Sequence, residues 1–169
     1  MAEFIPVGSF DIVIFGGTGD LAQRKLLPAL YHRWADGQIP EDSRIIGVSR
    51  SELDDEAFRA FAFDSLDRSA WMKFEMLLHY IAMDATQADA DWSALMDKIK
   101  LSDDRPLVLY LAVTPKIYVP ICQALGKAEL YTSSARVVLE KPIGTDLKSA
   151  HAINAGVGAV FREECIYRI

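Results

Sequence analysis

The chain has 169 residues, 51% hydrophobic and 25% charged, a balance that fits one globular domain large enough for its own core. A net charge of −6 gives no basic footprint for nucleic acid, and no apolar run reaches the roughly 20 residues of a membrane helix. Met1–Phe4 has neither a basic nor a long apolar stretch, so no signal peptide is expected, and Cys122 and Cys165 match no metal or redox spacing, which favours free thiols in the cytoplasm.

Residues 1–169 read as one domain, with the first nine or so as a flexible tail. Phe10–Phe15 is a near-continuous apolar run, the pattern of a strand buried on both faces. It breaks into Gly16-Gly17-Thr18-Gly19-Asp20-Leu21-Ala22, and helical character follows over about 20–36. Glycines between a strand and a helix N-terminus favour a phosphate, and Gly17-x-Gly19-x-x-Ala22 fits the dinucleotide fingerprint. Gly16, Gly17 and Gly19 permit positive φ and let a pyrophosphate approach the backbone without a Cβ in the way. Asp20 is expected to cap the helix and to face the ligand only through its amide. Pro28 conflicts with a regular helix there and predicts a kink.

A second strand at 44–49 ends in Ser49-Arg50-Ser51. Arg50 fits either a solvated loop or a fork on a 2′-phosphate, with Ser49 and Ser51 as neutral donors; Glu52 is the residue that would turn the preference toward NAD. A helical pattern over 54–78, broken near Arg68-Ser69, leads to a weaker strand at 80–83. That strand ends in Asp84-Ala85, beside an adenine or simply in a turn. A helix over 90–99 follows, and the acidic clusters at 54–56 and 89–91 suit helix first turns. The strand at 107–113 brings Ala112 to where a nicotinamide would pass. Thr114-Pro115 suits the start of a helix over 115–127.

The strand at 136–140 ends in Glu140-Lys141-Pro142, where Lys141 could bridge a cofactor and an anionic substrate; a salt bridge from Glu140 to a neighbouring cation is the plainer reading. The helix over 146–162 should bury Leu147, Ala150, Ile153, Val157 and Val160. A short strand at 165–169 closes the chain. Alternating strands and helices predict an α/β fold, a doubly wound parallel (Rossmann-like) sheet with ligands beyond the strand C-termini. His32, His79 and His151 read as structural or surface residues. No nucleophile triad, carboxylate pair or metal spacing stands out, so neither catalytic residues nor a metal are expected.

These motifs together resemble glucose-6-phosphate dehydrogenase: Gly16–Ala22 with Lys25 and Pro28–Tyr31, Ser49-Arg50, Tyr110–Ala112, Glu140–Gly144 and Ile166–Ile169. The resemblance implies NADP as cofactor, bound by Gly16, Gly17, Thr18, Gly19, Asp20, Leu21, Ala22, Arg50, Asp84, Ala85, Ala112 and Lys141, with Arg50 at the 2′-phosphate. It implies that Lys141 also binds substrate, and that the family reaction oxidises glucose 6-phosphate to 6-phosphogluconolactone with hydride transfer to NADP. In that family Tyr-Arg-Ile runs on into a substrate-phosphate motif, and the catalytic histidine lies in a second, larger domain. The chain is therefore expected to bind NADP, to meet glucose 6-phosphate only in a full-length context, and to be inactive alone. Exposed interface is expected to make it self-associate or to leave it weakly stable. The alternatives are a non-catalytic NADP-binding sensor or interaction module, or another sugar oxidoreductase with a Glu-Lys-Pro motif.

Overall fold

Apolar residues at both parities of β1 (Asp11–Phe15) place it in the middle of a sheet: Ile12 and Ile14 enter one core, Val13 and Phe15 the other. The computed structural model describes residues 7–63, 71–87, 89–102 and 104–169. In chain order, β1 is followed by α1 (Leu27–Ala35), β2 (Arg44–Ser49), α2 (Asp55–Phe63), α3 (Trp71–Phe74) and β3 (Leu78–Ala82). Then come α4 (Ser93–Lys98), β4 (Leu107–Leu111), α5 (Tyr118–Lys127), β5 (Ala135–Leu139), α6 (Leu147–Gly158) and β6 (Ile166–Arg168).

The six strands form one parallel sheet in the order β3-β2-β1-β4-β5-β6. This is the doubly wound arrangement, with the direction of winding reversing between β1 and β4. One core lies under α1, α2 and α3 and holds Leu27, Tyr31, Phe58 and Phe74; the other holds Leu95, Tyr118, Leu125 and Val157 from α4, α5 and α6. Asp11, 1% exposed, anchors the opposite end of β1 by accepting from Arg105 at 2.7 Å and from the Lys100 amide at 2.7 Å. Before the sheet, the Val7 amide bonds the Gln38 carbonyl at 3.4 Å and the Ser9 hydroxyl bonds Asp42, so these residues are tied to the loop before β2.

Several expected boundaries shift. The conflict at Pro28 is resolved by a five-residue π-turn, Ala22–Leu26, in which the Leu27 amide donates to the Ala22 carbonyl. A new α-helical register then starts at Leu27, so Pro28 sits at its N-terminal turn, where no amide is needed. Residues 77–78 do not continue a helix. A 3₁₀ turn ends at Leu77 and β3 starts at Leu78, paired with Ile45. Met76-Leu77-Leu78 is apolar in either periodicity, and only the pairing with β2 decides it. The break near Arg68-Ser69 falls outside the described residues.

The helix expected over 90–99 shortens to α4, because the Asp91 carboxylate takes the Ser93 amide at 2.9 Å from outside the helix. Asp146 caps α6 in a reciprocal box with Ser149, and the helix ends at Gly158 rather than 162. Val157 is buried, and Ile153 and Val160 pack on the core, but Leu147 is 75% exposed. The contact between α5 and α6 begins deeper, at Gly156, where a Cβ would lie 2.6 Å from Val119. Leu147 precedes that contact.

Candidate functional site

The C-terminal ends of β1 to β4 open onto a cleft of about 790 Å³. Gly16, Thr18 and Gly19 line it from the first loop, Ser49, Arg50 and Ser51 from the second, Asp84 and Ala85 from the third, and Val113 and Thr114 from the fourth. Phe15, Val48, Met83, Ile117 and Ile121 add apolar wall. The wall residues are ordinary core residues by pattern, and only the fold shows that they border open space.

The glycines act differently from one another. Gly16 alone of the three has positive φ, 84°, and a Cβ there would meet the Ala112 carbonyl oxygen at 2.4 Å. Ala112 therefore backs the loop and does not line the cleft. Gly17 lies against β2, where a Cβ would approach Gly47 Cα at 2.7 Å. Gly19 is less confined, but a Cβ there would still press on the Gly16 carbonyl oxygen at 3.1 Å. Positive φ is thus used at Gly16 alone of the three, and close approach, not handedness, selects glycine at Gly17.

Their amides are also spoken for. Gly16 and Gly17 both donate to the Val48 carbonyl, at 2.8 and 3.1 Å, and Gly19 donates to the Gly16 carbonyl at 2.9 Å. The Thr18 amide makes no such bond. Thr18 lines the cleft; Gly17, Asp20, Leu21 and Ala22 do not, and the last three carry first-turn amides, which have no intrahelical acceptor. Asp20 does not cap: the position before the π-turn is Leu21, with helical backbone and no side-chain cap, and the Asp20 carboxylate pairs with Arg24 at 2.6 Å. A carboxylate one turn before a guanidinium finds a better partner there than in an amide of its own turn.

At the second strand end, Arg50 is exposed and its guanidinium makes no hydrogen bond or ion pair among the described residues. Ser49, Ser51 and Thr18 line the cleft with it and cluster their hydroxyls: Thr18 Oγ1 lies 2.8 Å from Ser49 Oγ and 3.3 Å from Ser51 Oγ. Glu52 is exposed and does not line the cleft. Asp84 folds into a tight turn. The Thr86 hydroxyl and amide donate to it at 2.6 and 3.0 Å and, with Gln87 and the nearby Arg50 charge, hold its carboxyl below the ordinary aspartate range.

Lys141 lies two residues beyond β5, exposed and away from the cleft lining, and the Lys141–Pro142 peptide is cis. Among the described residues Glu140 forms no cation pair. Its carboxylate accepts from the Tyr110 hydroxyl, and its carbonyl accepts from the Tyr118 hydroxyl at 3.1 Å. Burial, reinforced by Glu140, pushes the Tyr110 hydroxyl well above the ordinary phenol range. Thr114 holds the N-cap position without a side-chain cap bond. None of His32, His79 and His151 lines the cleft, and no group of three metal-ligating side chains occurs among the described residues. Cys122 and Cys165 are free and buried, and burial pushes the Cys122 thiol up to about 12.

A glycine-backed anion cradle, a free guanidinium one strand away and an apolar wall together fit an extended, phosphorylated nucleotide. The family model described as glucose-6-phosphate dehydrogenase, NAD binding domain, matches residues 13–169. The chain belongs to the glucose-6-phosphate dehydrogenase family. A glucose-6-phosphate 1-dehydrogenase from Gluconobacter oxydans is 48% identical over 179 aligned residues, which cover 100% of this chain and 37% of the relative. One from Rhizobium meliloti is 45% identical, over 99% of this chain and 36% of the relative. A solved glucose-6-phosphate dehydrogenase in complex with glucose-6-phosphate superposes with a TM-score of 0.84 at 30% identity, covering 100% of this chain and 37% of that one. The chain thus spans little more than a third of the length of the glucose-6-phosphate dehydrogenases it matches. No helix among the described residues is long and apolar enough to cross a membrane.

Proposed function

We propose that this chain is the NADP-holding part of an enzyme that oxidises glucose 6-phosphate to 6-phosphogluconolactone. The observation that carries the NADP reading is the second strand end. A 2′-phosphate needs cations and neutral donors, and Arg50 and Ser51 offer a guanidinium and a hydroxyl there. The acidic residue that would favour a bare ribose hydroxyl, Glu52, stands outside the cleft.

In this reading Thr18, Asp20, Leu21 and Ala22 offer amides to the pyrophosphate, while Gly16, Gly17 and Gly19 keep Cβ atoms out of its way. Asp84 and Ala85 border the adenine, Ala112 backs the path toward the nicotinamide, and Lys141 stands between nicotinamide and sugar phosphate. The bound nicotinamide supplies the acceptor for the hydride leaving the anomeric carbon. The proton leaving the anomeric hydroxyl needs a base, and no histidine lines the cleft. The chain alone is therefore expected to bind and not to turn over. Two buried free thiols suit a reducing compartment, for which we propose the cytoplasm. The net charge of −6 supports no nucleic-acid partner.

Retention on immobilised 2′,5′-ADP tests the assignment. The chain should be held and should elute with NADP far more readily than with NAD. Passage without retention, or equal elution by both, would contradict it.

A further inference from the structure

Tyr80 lies on edge strand β3 and is 4% exposed, yet its hydroxyl reaches across to the turn that carries Arg50. The oxygen lies 2.7 Å from the Ser51 carbonyl and 2.6 Å from Ser49 Oγ. A phenol has one proton, and the carbonyl can only accept, so that proton goes to Ser51. The 2.6 Å bond therefore runs from the Ser49 hydroxyl to the Tyr80 oxygen. With its proton used, Ser49 Oγ accepts from the Thr18 hydroxyl at 2.8 Å and from the Ser51 amide at 3.3 Å. The donor–acceptor balance thus fixes a direction: Thr18 to Ser49, Ser49 to Tyr80, Tyr80 to Ser51. Ser49, a plausible phosphate donor by sequence, has no proton to spare for a ligand.

Tyr80 itself is held at both ends. Its backbone amide donates to Asp55 Oδ1 at 2.7 Å, and its ring packs on Phe58 with centroids 5.0 Å apart. Phe58 in turn occupies the space that a side chain at Gly47 would take, 2.5 Å from a Cβ. Residues 49 and 51 are therefore pinned from the buried side, and Arg50 between them is left with its guanidinium unpaired and facing the cleft.

We propose that Tyr80 is a positioning residue for nucleotide choice: its hydroxyl holds the Ser49–Ser51 turn so that Arg50 is pre-set for a 2′-phosphate. This rests on the NADP reading above. Tyr80→Phe keeps the ring on Phe58 and deletes one donated and one accepted hydrogen bond. Isothermal titration should show NADP binding weakened about tenfold and NAD binding changed less than about twofold. In an Arg50→Ala background, the same substitution should change NADP binding less than about twofold, because its effect passes through Arg50.

Equal loss for both nucleotides, an unchanged NADP affinity, or a full tenfold effect without Arg50 would overturn the role. Should Tyr80→Phe fail to fold, Ser49→Ala breaks the same chain at a half-exposed site. It should lower NADP affinity about threefold while sparing NAD, and equal effects on both would overturn the proposal. If the unaltered chain binds NADP and NAD equally, the NADP reading itself falls and the positioning role with it. If it prefers NADP and Tyr80→Phe preserves that preference, only the positioning role falls.

Discussion

Arg50 makes no hydrogen bond or ion pair among the described residues and only adds its charge near Asp84, so removing it should separate binding from stability. Arg50→Ala is expected to weaken NADP binding by about 10- to 100-fold, the value of charged hydrogen bonds to a phosphate, with NAD affinity and melting temperature unchanged. A parallel loss for NAD, in titrations run side by side, would refute the 2′-phosphate assignment. The glycines make a second contrast. At Gly16, φ of 84° and a carbonyl 2.4 Å from a Cβ mean that Gly16→Ala should lower the melting temperature as well as binding. Gly19→Val, at an ordinary φ but with the Gly16 carbonyl oxygen 3.1 Å from a Cβ, should fail to bind nucleotide with a smaller loss of melting temperature than Gly16→Ala. A Gly19→Val chain that still binds would remove Gly19 from the site. The positions of these residues were legible in the sequence. Which amides remained free was not, because the Val48 carbonyl that takes two of them lies a strand away.

At the scale of elements, strands with continuous apolar runs were read nearly to the residue, since burial on both faces leaves few alternatives. β3 was not. It lies at the sheet edge, and its first residues carry no alternation of their own. That edge holds a charged cluster: Asp55 on α2 contacts Lys98 at the end of α4 at 2.9 Å and His79 on β3 at 3.5 Å, with Arg59 adding a further positive charge. Burial first, then Lys98, holds His79 below its ordinary 6.5 despite Asp55. A base with a lowered folded pKa contributes full stability above 6.5 and loses it as pH falls from there toward the folded value. Asp55, held below 3.8 by the Lys98 and Tyr80 hydrogen bonds against its own burial, contributes above 3.8 and loses its share as pH drops further. The melting temperature should therefore decline as pH falls below 6.5, and His79→Gln should flatten that decline. An unchanged slope in His79→Gln would show that the proton is taken up elsewhere.

For the whole molecule, the alternation of strands and helices specified the winding, and the winding specified where a ligand sits. Lys141 shows the limit of that inference. The strand-end rule placed it correctly beyond β5 but could not place it relative to the cleft, which is built from β1 to β4. β6 forms one edge of the sheet, and Tyr167 and Ile169 beside it are 48% and 52% exposed, with Leu147 at 75%. An uncovered edge with apolar neighbours is expected to pair with another copy, so sedimentation should show association that rises with concentration. A monomer at all concentrations would contradict this.

The central claim is that the fold holds NADP through Arg50 and the free amides of the first loop. Isothermal titration of the chain with NADP and with NAD tests it most directly. One-site binding of NADP at least about tenfold tighter than NAD is the result predicted from a charged fork on the 2′-phosphate. Equal affinities, or no binding of either nucleotide by the folded chain, would contradict it.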